Sequence, residues 1–219
     1  MSIGAEPCVL YFHHIGPLPD YRWVSPQHLK RQLQWLMERR TAATLDNAAA
    51  IGSATFCVTF DDGYDDVLEA LPILDALSIT ATFFVLPAYF GRTSGFTGGL
   101  LSKHLSQADV KFLSRSGHGI GSHGLLHRNL TALGEDELTA ELVQSRKMLE
   151  DIIGTSVPYF AYPYGLCNDY VVEQCLRHYK DAWSTGAAKA LQGGQGRLGC
   201  RSRVYMDEDP NGTDYIIVR

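Results

Sequence analysis

The sequence has no run of about 18 consecutive apolar residues, which is the length that a membrane-spanning helix requires. Its first residues also lack the basic segment and apolar core of an export signal. Positive charge is scarce as well, because 19 Lys and Arg stand against 24 Asp and Glu, for a net charge of -5. Nucleic acids and anionic membrane surfaces bind clustered basic residues, so neither is an expected partner. We expect a soluble, unexported protein with no membrane span.

Cysteine is also rare, with five residues at wide spacing. They are Cys8, Cys57, Cys167, Cys175 and Cys200. A disulfide framework normally has an even number of cysteines, so this pattern favours reduced, partly buried thiols. A cytoplasmic location fits the pattern, although a secreted protein whose export signal had been trimmed would look the same.

The chain has 219 residues, 45% of them hydrophobic, and no internal repeat. This is enough for one well-packed domain and short for two, so we expect residues 1–219 to form a single domain. Strand-like and helix-like segments alternate, which predicts an α/β fold with a parallel sheet and helices outside it. Two glycine-rich stretches, 91–99 and 192–199, are expected to be loops.

Apolar and β-branched segments predict six strands. They cover residues 8–12, 55–58, 81–86, 118–121, 159–162 and 182–184. Capping residues and apolar periodicity predict five helical segments. These begin after Ser25, near 67, after Ser106, near 135 and after Asn168. The apolar stretch 215–218 is either a closing strand or an exposed surface.

Two adjacent aspartates, Asp61 and Asp62, follow the second predicted strand. The carboxyl ends of strands are where α/β folds place their chemistry. A helix cap explains one aspartate, but two neighbouring carboxylates repel each other unless a cation or a shared proton relieves the repulsion. A bound metal is therefore the first expectation.

A pair of histidines, His123 and His127, lies about 60 residues further on. A lone histidine is usually a satisfied surface residue, but two at this spacing can face the same side of one helical turn and share an ion. Together with one carboxylate they form a three-ligand site with room for water, as in hydrolytic metal centres. Gly124 excludes the His-Glu-x-x-His pattern of zinc peptidases. Zinc is the expected metal, but cobalt, nickel or manganese would also suit these donors.

Three motifs in this order resemble those of the polysaccharide deacetylases, which are carbohydrate esterase family 4 and are also called NodB-homology domains. The motifs are Thr-Phe-Asp-Asp-Gly at 59–63, Ser-His-Gly-Leu-Leu-His at 122–127 and Tyr-Pro-Tyr-Gly at 162–165, and the resemblance runs from about Val9 to Trp183. It implies a distorted, incomplete (β/α) barrel. It also implies a metal-dependent hydrolase that removes an N-acetyl group from an amino sugar of a poly- or oligosaccharide or glycoconjugate and releases acetate.

The resemblance implies a role for each motif residue. Asp62, His123 and His127 would bind the metal. Asp61, left without a metal bond, would act as the general base toward the attacking water. The backbone N–H of Tyr164 would stabilise the oxyanion of the tetrahedral intermediate.

Three residues are expected to contact the substrate by the same resemblance: Pro163, Tyr164 and Trp183. Alternatively, Tyr164 has a structural role, as an aromatic residue in a turn that packs over Pro163. Trp183 follows Asp181 in a segment that resembles a late Asp/Trp motif of the family, but core packing explains this tryptophan equally well.

The chain departs from the family pattern at two points. Many members have an arginine two residues before the Pro-Tyr-Gly, where it steadies the catalytic aspartate, whereas this chain has Ala161. Either another cation, such as Arg201 or Arg203, supplies that charge, or Asp61 is more basic than usual.

The second departure concerns the general acid, because no histidine occurs after His178 to match a late Leu-x-His motif. The segment 12–15 resembles an early Tyr-His motif of one branch of the family, in which the acid comes from the first strand. We therefore expect His13 to be the acid, with His14 as the alternative. Both could instead be hydrogen-bonded histidines at a strand end.

Other activities would use the same residues. The bond cleaved could be an O-acetyl ester or a cyclic amide, since all of these reactions need the same water and oxyanion stabilisation. A non-catalytic carbohydrate-binding relative is the remaining alternative, because of the arginine and histidine that the chain lacks. The sequence does not indicate the oligomeric state.

Overall fold

The computed structural model describes residues 8–17, 22–47, 54–95, 101–185, 200–208 and 215–218. The strands are β1 (Cys8–Phe12), β2 (His14–Ile15), β3 (Trp23–Val24), β4 (Thr41–Ala42), β5 (Thr55–Phe60), β6 (Ala81–Val85), β7 (Thr93–Ser94), β8 (Ser102–Lys103), β9 (Gly119–Ser122), β10 (Tyr159–Ala161), β11 (Asp181–Thr185), β12 (Arg201–Arg203), β13 (Tyr205–Glu208) and β14 (Tyr215–Val218). The helices are α1 (Pro26–Met37), α2 (Leu71–Ala76), α3 (Gln107–Arg115), α4 (Glu135–Ile153) and α5 (Asp169–Leu176).

The main sheet is parallel and has the strand order β1-β5-β6-β9-β10-β11-β12, with β4 paired to the start of β5. Val204, directly after β12, pairs with Leu10 of β1 in a parallel bridge. The N–H of Tyr11 donates to the Val204 carbonyl at 3.1 Å, and the N–H of Val204 donates to the Val9 carbonyl at 2.9 Å. The last strand thus returns to the first and nearly closes the sheet, which confirms the expected distorted (β/α) barrel.

The two faces of this sheet have separate cores. One cluster of apolar side chains lies inside the barrel, because successive residues along each strand point to opposite faces of the sheet. It contains Val9, Cys57, Phe84, Ala161 and Trp183, among others. The outer face packs against the apolar stripes of the helices. Strand residues therefore reach the centre of the barrel from all sides, and their carboxyl ends meet at one rim.

The helix starts confirm the predicted caps. The Ser25 hydroxyl accepts a hydrogen bond from the N–H of His28 at the start of α1. Ser106 and Asp109 form a reciprocal capping box at the start of α3. The Asn168 side chain accepts from Val171 at the start of α5. Each cap satisfies an N–H that a helix end would otherwise leave without a partner.

The structure decides between the two alternatives for the end of the chain. Residues 215–218 do not close the barrel, because β14 pairs antiparallel with β13 in a separate two-stranded sheet. The strand that closes it is β12, a short polar segment that apolar patterning does not reveal. Of the two expected glycine-rich loops, 192–199 lies outside the described residues. The described part of 91–99 includes β7, which pairs antiparallel with β8.

No helix within the described ranges is long and apolar enough to cross a membrane. Whether residues 1–219 form one domain stays a prediction.

Candidate metal centre

Asp61 and Asp62 lie at the carboxyl end of β5, in a turn with an unusual backbone. Asp62 has a left-handed φ of 64° and Gly63 one of 67°. A non-glycine residue is strained in this region, so the surrounding structure must hold it there. One such contact comes from buried His104, whose Nδ1–H donates to the Asp62 carbonyl at 3.0 Å while its Nε2 lies 2.7 Å from the Ser94 hydroxyl.

The three expected metal ligands converge at this rim. The Nε2 atoms of His123 and His127 lie 3.3 and 3.2 Å from Oδ1 of Asp62, and all three side chains are buried. One donor atom from each residue lies within 4.8 Å of the others. The Nδ1–H of His123 donates to the Ala161 carbonyl at 2.7 Å, which leaves its Nε2 lone pair directed at the shared space.

The two histidines do not share a helical turn, so that part of the prediction is wrong. Residues 123–129 form an irregular segment after β9, with left-handed φ values at Gly124 and His127. The buried carboxylate of Glu141, on α4, accepts hydrogen bonds from the N–H groups of Leu125 (2.6 Å) and Leu126 (3.0 Å). Because these N–H groups bond to a side chain rather than to a preceding turn, the imidazoles converge through a loop.

The cluster of three residues fits a divalent metal. Neither carboxylate oxygen of Asp62 accepts a hydrogen bond within the described part of the chain, although both oxygens are buried. A buried carboxylate without such bonds is costly, and a coordinated cation removes that cost. Two imidazole nitrogens and one carboxylate oxygen are also the donors of open, three-ligand zinc sites.

Asp61 has a different partner, the fully buried Arg203 of β12. The guanidinium donates two hydrogen bonds of 2.6 Å, one to each carboxylate oxygen, and a third of 3.1 Å to the Thr59 hydroxyl. Burial alone would raise the pKa of Asp61, but the charge of Arg203, the charge of His123 and the Arg203 hydrogen bonds lower it overall. Of the candidates left open by Ala161, Arg203 makes the contact, whereas Arg201 pairs with Asp181.

The two early histidines have different surroundings. His14 is buried between the rings of Trp23 and Tyr64, with centroid distances of 4.0 and 3.8 Å, and its Nδ1 lies 2.7 Å from Oδ2 of Asp66. His13 instead lies near enough to the aspartate pair for the charges of Asp62 and Asp61 to act on it. Burial lowers the pKa of His13, and the raising effect of the nearby Asp62 and Asp61 charges does not offset it.

The third motif borders the same space. Tyr164 is 52% exposed, has a left-handed φ of 59°, and places its ring 4.5 Å from that of His127. Pro163 is buried. Trp183 is only 7% exposed and belongs to the cluster inside the barrel, as the core-packing alternative expects. A substrate contact by Trp183 stays a prediction.

The chain is similar in sequence to known polysaccharide deacetylases. The sequence model of the polysaccharide deacetylase family matches residues 50–179. The peptidoglycan-N-acetylmuramic acid deacetylase PdaA of Bacillus subtilis is 29% identical over 156 residues, which are 70% of this chain and 53% of that protein. A peptidoglycan-N-acetylglucosamine deacetylase of Bacillus cereus is 32% identical over 116 residues, 51% of this chain and 37% of that protein. The chain therefore spans about half or less of these two relatives.

A solved structure supports the fold. The structure of IcaB from Ammonifex degensii superposes with a TM-score of 0.77 at 22% identity, covering 95% of this chain and 94% of that one. At this level of identity the likeness concerns the barrel architecture alone.

Proposed function

The chain belongs to the polysaccharide deacetylase family, and we therefore propose that it is a metal-dependent hydrolase that cleaves an N-acetyl group from an amino sugar and releases acetate. The observation that carries this proposal is the convergence of Asp62, His123 and His127 beside an aspartate held by arginine. The two relatives named above are deacetylases of peptidoglycan amino sugars, which supports an acetylated amino sugar as the substrate class.

Asp62, His123 and His127 would hold the metal, with zinc as the proposed ion. When bound, the metal supplies Lewis-acid chemistry, which polarises the acetyl carbonyl and makes water a stronger nucleophile. The lowered pKa of Asp61 keeps its carboxylate ionised near neutral pH, so it can accept a proton from the attacking water. Arg203 orients this carboxylate, because two parallel hydrogen bonds fix its plane.

Two further groups complete the proposed reaction. The backbone N–H of Tyr164 would donate to the oxyanion of the tetrahedral intermediate. His13 would give a proton to the departing amine nitrogen. Because the pKa of His13 is lowered, its imidazole is mainly neutral at rest and must gain a proton before it can act as the acid.

The test compares bound metal and acetate release in single variants. We expect Asp62→Asn and His127→Ala each to lose bound metal, measured by elemental analysis, together with acetate release from an N-acetylated chito-oligosaccharide. His178→Ala, a histidine that follows α5, is the matched control and should keep both. Wild-type turnover in either ligand variant would overturn the proposal.

A substrate panel tests which bond is cleaved. Purified protein is given N-acetyl sugars, O-acetyl sugars and a cyclic amide of similar size, and the product of each is quantified. We expect acetate from the N-acetyl sugars at least tenfold faster than any other product. Faster release from the O-acetyl sugars, or ring opening alone, would replace the proposed reaction. Bound metal without turnover of any substrate would favour a carbohydrate-binding role.

A further inference from the structure

Two cysteines far apart in sequence meet at the side of the barrel. The Sγ atoms of Cys167 and Cys200 lie 3.0 Å apart, closer than two sulfur atoms normally approach without a bond. Both residues are thiols in this structure. Cys167 is 2% exposed, whereas Cys200 is partly exposed. A bond requires only a further small approach, since an S–S bond is about 2.05 Å long.

The pair joins two segments that carry functional groups. Cys167 follows the turn at Pro163–Gly165, which presents the Tyr164 N–H. Cys200 directly precedes β12, whose last residue, Arg203, binds Asp61. Along the chain the two cysteines are 33 residues apart. A covalent link between them would therefore fasten the strand that closes the barrel to the rim of the candidate metal centre.

We propose that Cys167 and Cys200 form a site of oxidative modification, at which a small-molecule disulfide converts the two thiols into a disulfide that secures β12. This inference goes beyond the proposed hydrolase activity and does not depend on it. It differs from the sequence expectation of reduced thiols only for these two residues.

The reaction proceeds by two thiol–disulfide exchanges. The more accessible Cys200 thiolate attacks one sulfur of the oxidant RSSR, forms a mixed disulfide and releases the first RS⁻. The Cys167 thiolate then attacks the Cys200 sulfur, forms the Cys167–Cys200 bond and releases the second RS⁻. The two thiol protons end on the two RSH products, so the protein is oxidised by two electrons and RSSR is reduced by two.

The nearby Cys175 provides a matched control. It is buried in the same outer core and has the Tyr162 side chain as a hydrogen-bond neighbour. Burial raises the pKa of the Cys175 thiol, which makes it a poor nucleophile. Replacing it should leave the Cys167–Cys200 pair able to react.

The experiment counts thiols in the native protein before and after incubation with oxidised glutathione. The protein is then denatured and alkylated, and the mass of the intact chain gives the number of modified cysteines. We expect the wild type to fall from five alkylated thiols to three, with a peptide that joins Cys167 to Cys200. Cys175→Ser should also lose two thiols, whereas Cys200→Ser should lose none to a bridge. Dithiothreitol should restore the missing thiols.

Each other outcome contradicts the proposal. Five remaining thiols in the wild type, a glutathione adduct on Cys200 without a bridge, or an equal loss of two thiols in Cys200→Ser would each overturn it.

A second measurement tests the fastening of β12. The oxidised wild type should unfold roughly 5–10 °C above the reduced form, with no such difference in Cys200→Ser. Equal melting temperatures would show that the bridge does not secure the strand.

Discussion

Asp61 and Asp62 are neighbours in the chain, but their carboxylates have different partners. Arg203 binds the first through two hydrogen bonds, and the imidazoles of His123 and His127 surround the second. This arrangement separates two buried negative charges that would otherwise repel each other. It also keeps Asp61 out of the cluster of possible metal ligands. A carboxylate must be free of a metal bond if it is to accept a proton as a general base.

Replacing Arg203 tests its pairing with Asp61. We expect Arg203→Met to lower the free energy of unfolding by about 3–5 kcal/mol, because it leaves the Asp61 carboxylate buried without a cation. The double variant with Asp61→Asn should recover part of this loss. Urea denaturation measures both effects. Arg201→Met is the control on the same strand and should cost less, since Arg201 is partly exposed. Equal costs for the two arginines would contradict the assignment.

A second pair of variants distinguishes the roles of His13 and His14. We expect His13→Ala to lower kcat by about 10²–10⁴-fold with a small change in stability, as for the loss of a general acid. His14→Ala should keep most of kcat but lower the free energy of unfolding by about 1–3 kcal/mol, because it removes the imidazole contact with Asp66 and a stacked ring. The reverse pattern would make His14 the acid.

At the scale of elements, α4 contacts the loop between His123 and His127, the two candidate histidine ligands. The Glu141 carboxylate of this helix accepts hydrogen bonds from the N–H groups of Leu125 and Leu126. Gly124 allows this approach, because a Cβ there would lie 3.0 Å from Oε2 of Glu141. A helix that packs outside the barrel thus positions the candidate ligands at the rim of the barrel.

We expect Glu141→Ala to weaken metal binding about 10–100-fold, as replacement of groups that orient ligands typically does. Glu141→Gln keeps one oxygen that can accept both hydrogen bonds and should restore most of the affinity. Titration of the metal-free protein with zinc measures both. Glu137→Ala, on the exposed side of the same helix and paired with Arg128, is the matched control. Unchanged affinity in Glu141→Ala would show that the loop holds its shape alone.

The sequence predicts elements well where the signal is local. The bounds of α4 agree with its apolar period, and the caps at Ser25, Ser106 and Asn168 begin helices as expected. The burial of Glu141 could be predicted from the sequence, since this residue lies three positions after Leu138 on the buried stripe of α4. A buried carboxylate needs hydrogen-bond partners. Its partners could not be predicted, because backbone groups of a distant loop leave no mark in sequence.

The closing strand, β12, could not be predicted from local sequence patterns either. The segment 201–203 is short and polar, so neither periodicity nor composition predicts a strand. Its pairing with β11 and the bridge from Val204 to Leu10 make it part of the barrel. Only this topology brings Arg203 to Asp61 across 142 residues. Motif order was therefore enough to predict which three side chains come together, whereas the choice between Arg201 and Arg203 required the structure.

At the scale of the whole molecule, the aspartate pair links distant parts of the barrel at one rim. Asp61 connects β5 to the closing strand β12 through Arg203. Asp62, at the end of β5, faces the loop after β9. In the sheet, β6 lies between β5 and β9. A metal held by Asp62, His123 and His127 would therefore join strands that do not pair directly. Such a link should stabilise the folded barrel as well as serve catalysis.

Metal removal tests this coupling. We expect chelation followed by dialysis to abolish acetate release and to lower the melting temperature by several degrees, because an ion present at 100 times its Kd contributes about 2.7 kcal/mol to the folded state. Adding zinc should restore both. Asp62→Asn, which removes one ligand, should melt at the same temperature with and without zinc. A melting temperature that falls on chelation in this variant as well would place the stabilising ion elsewhere, since the loss would then not require Asp62.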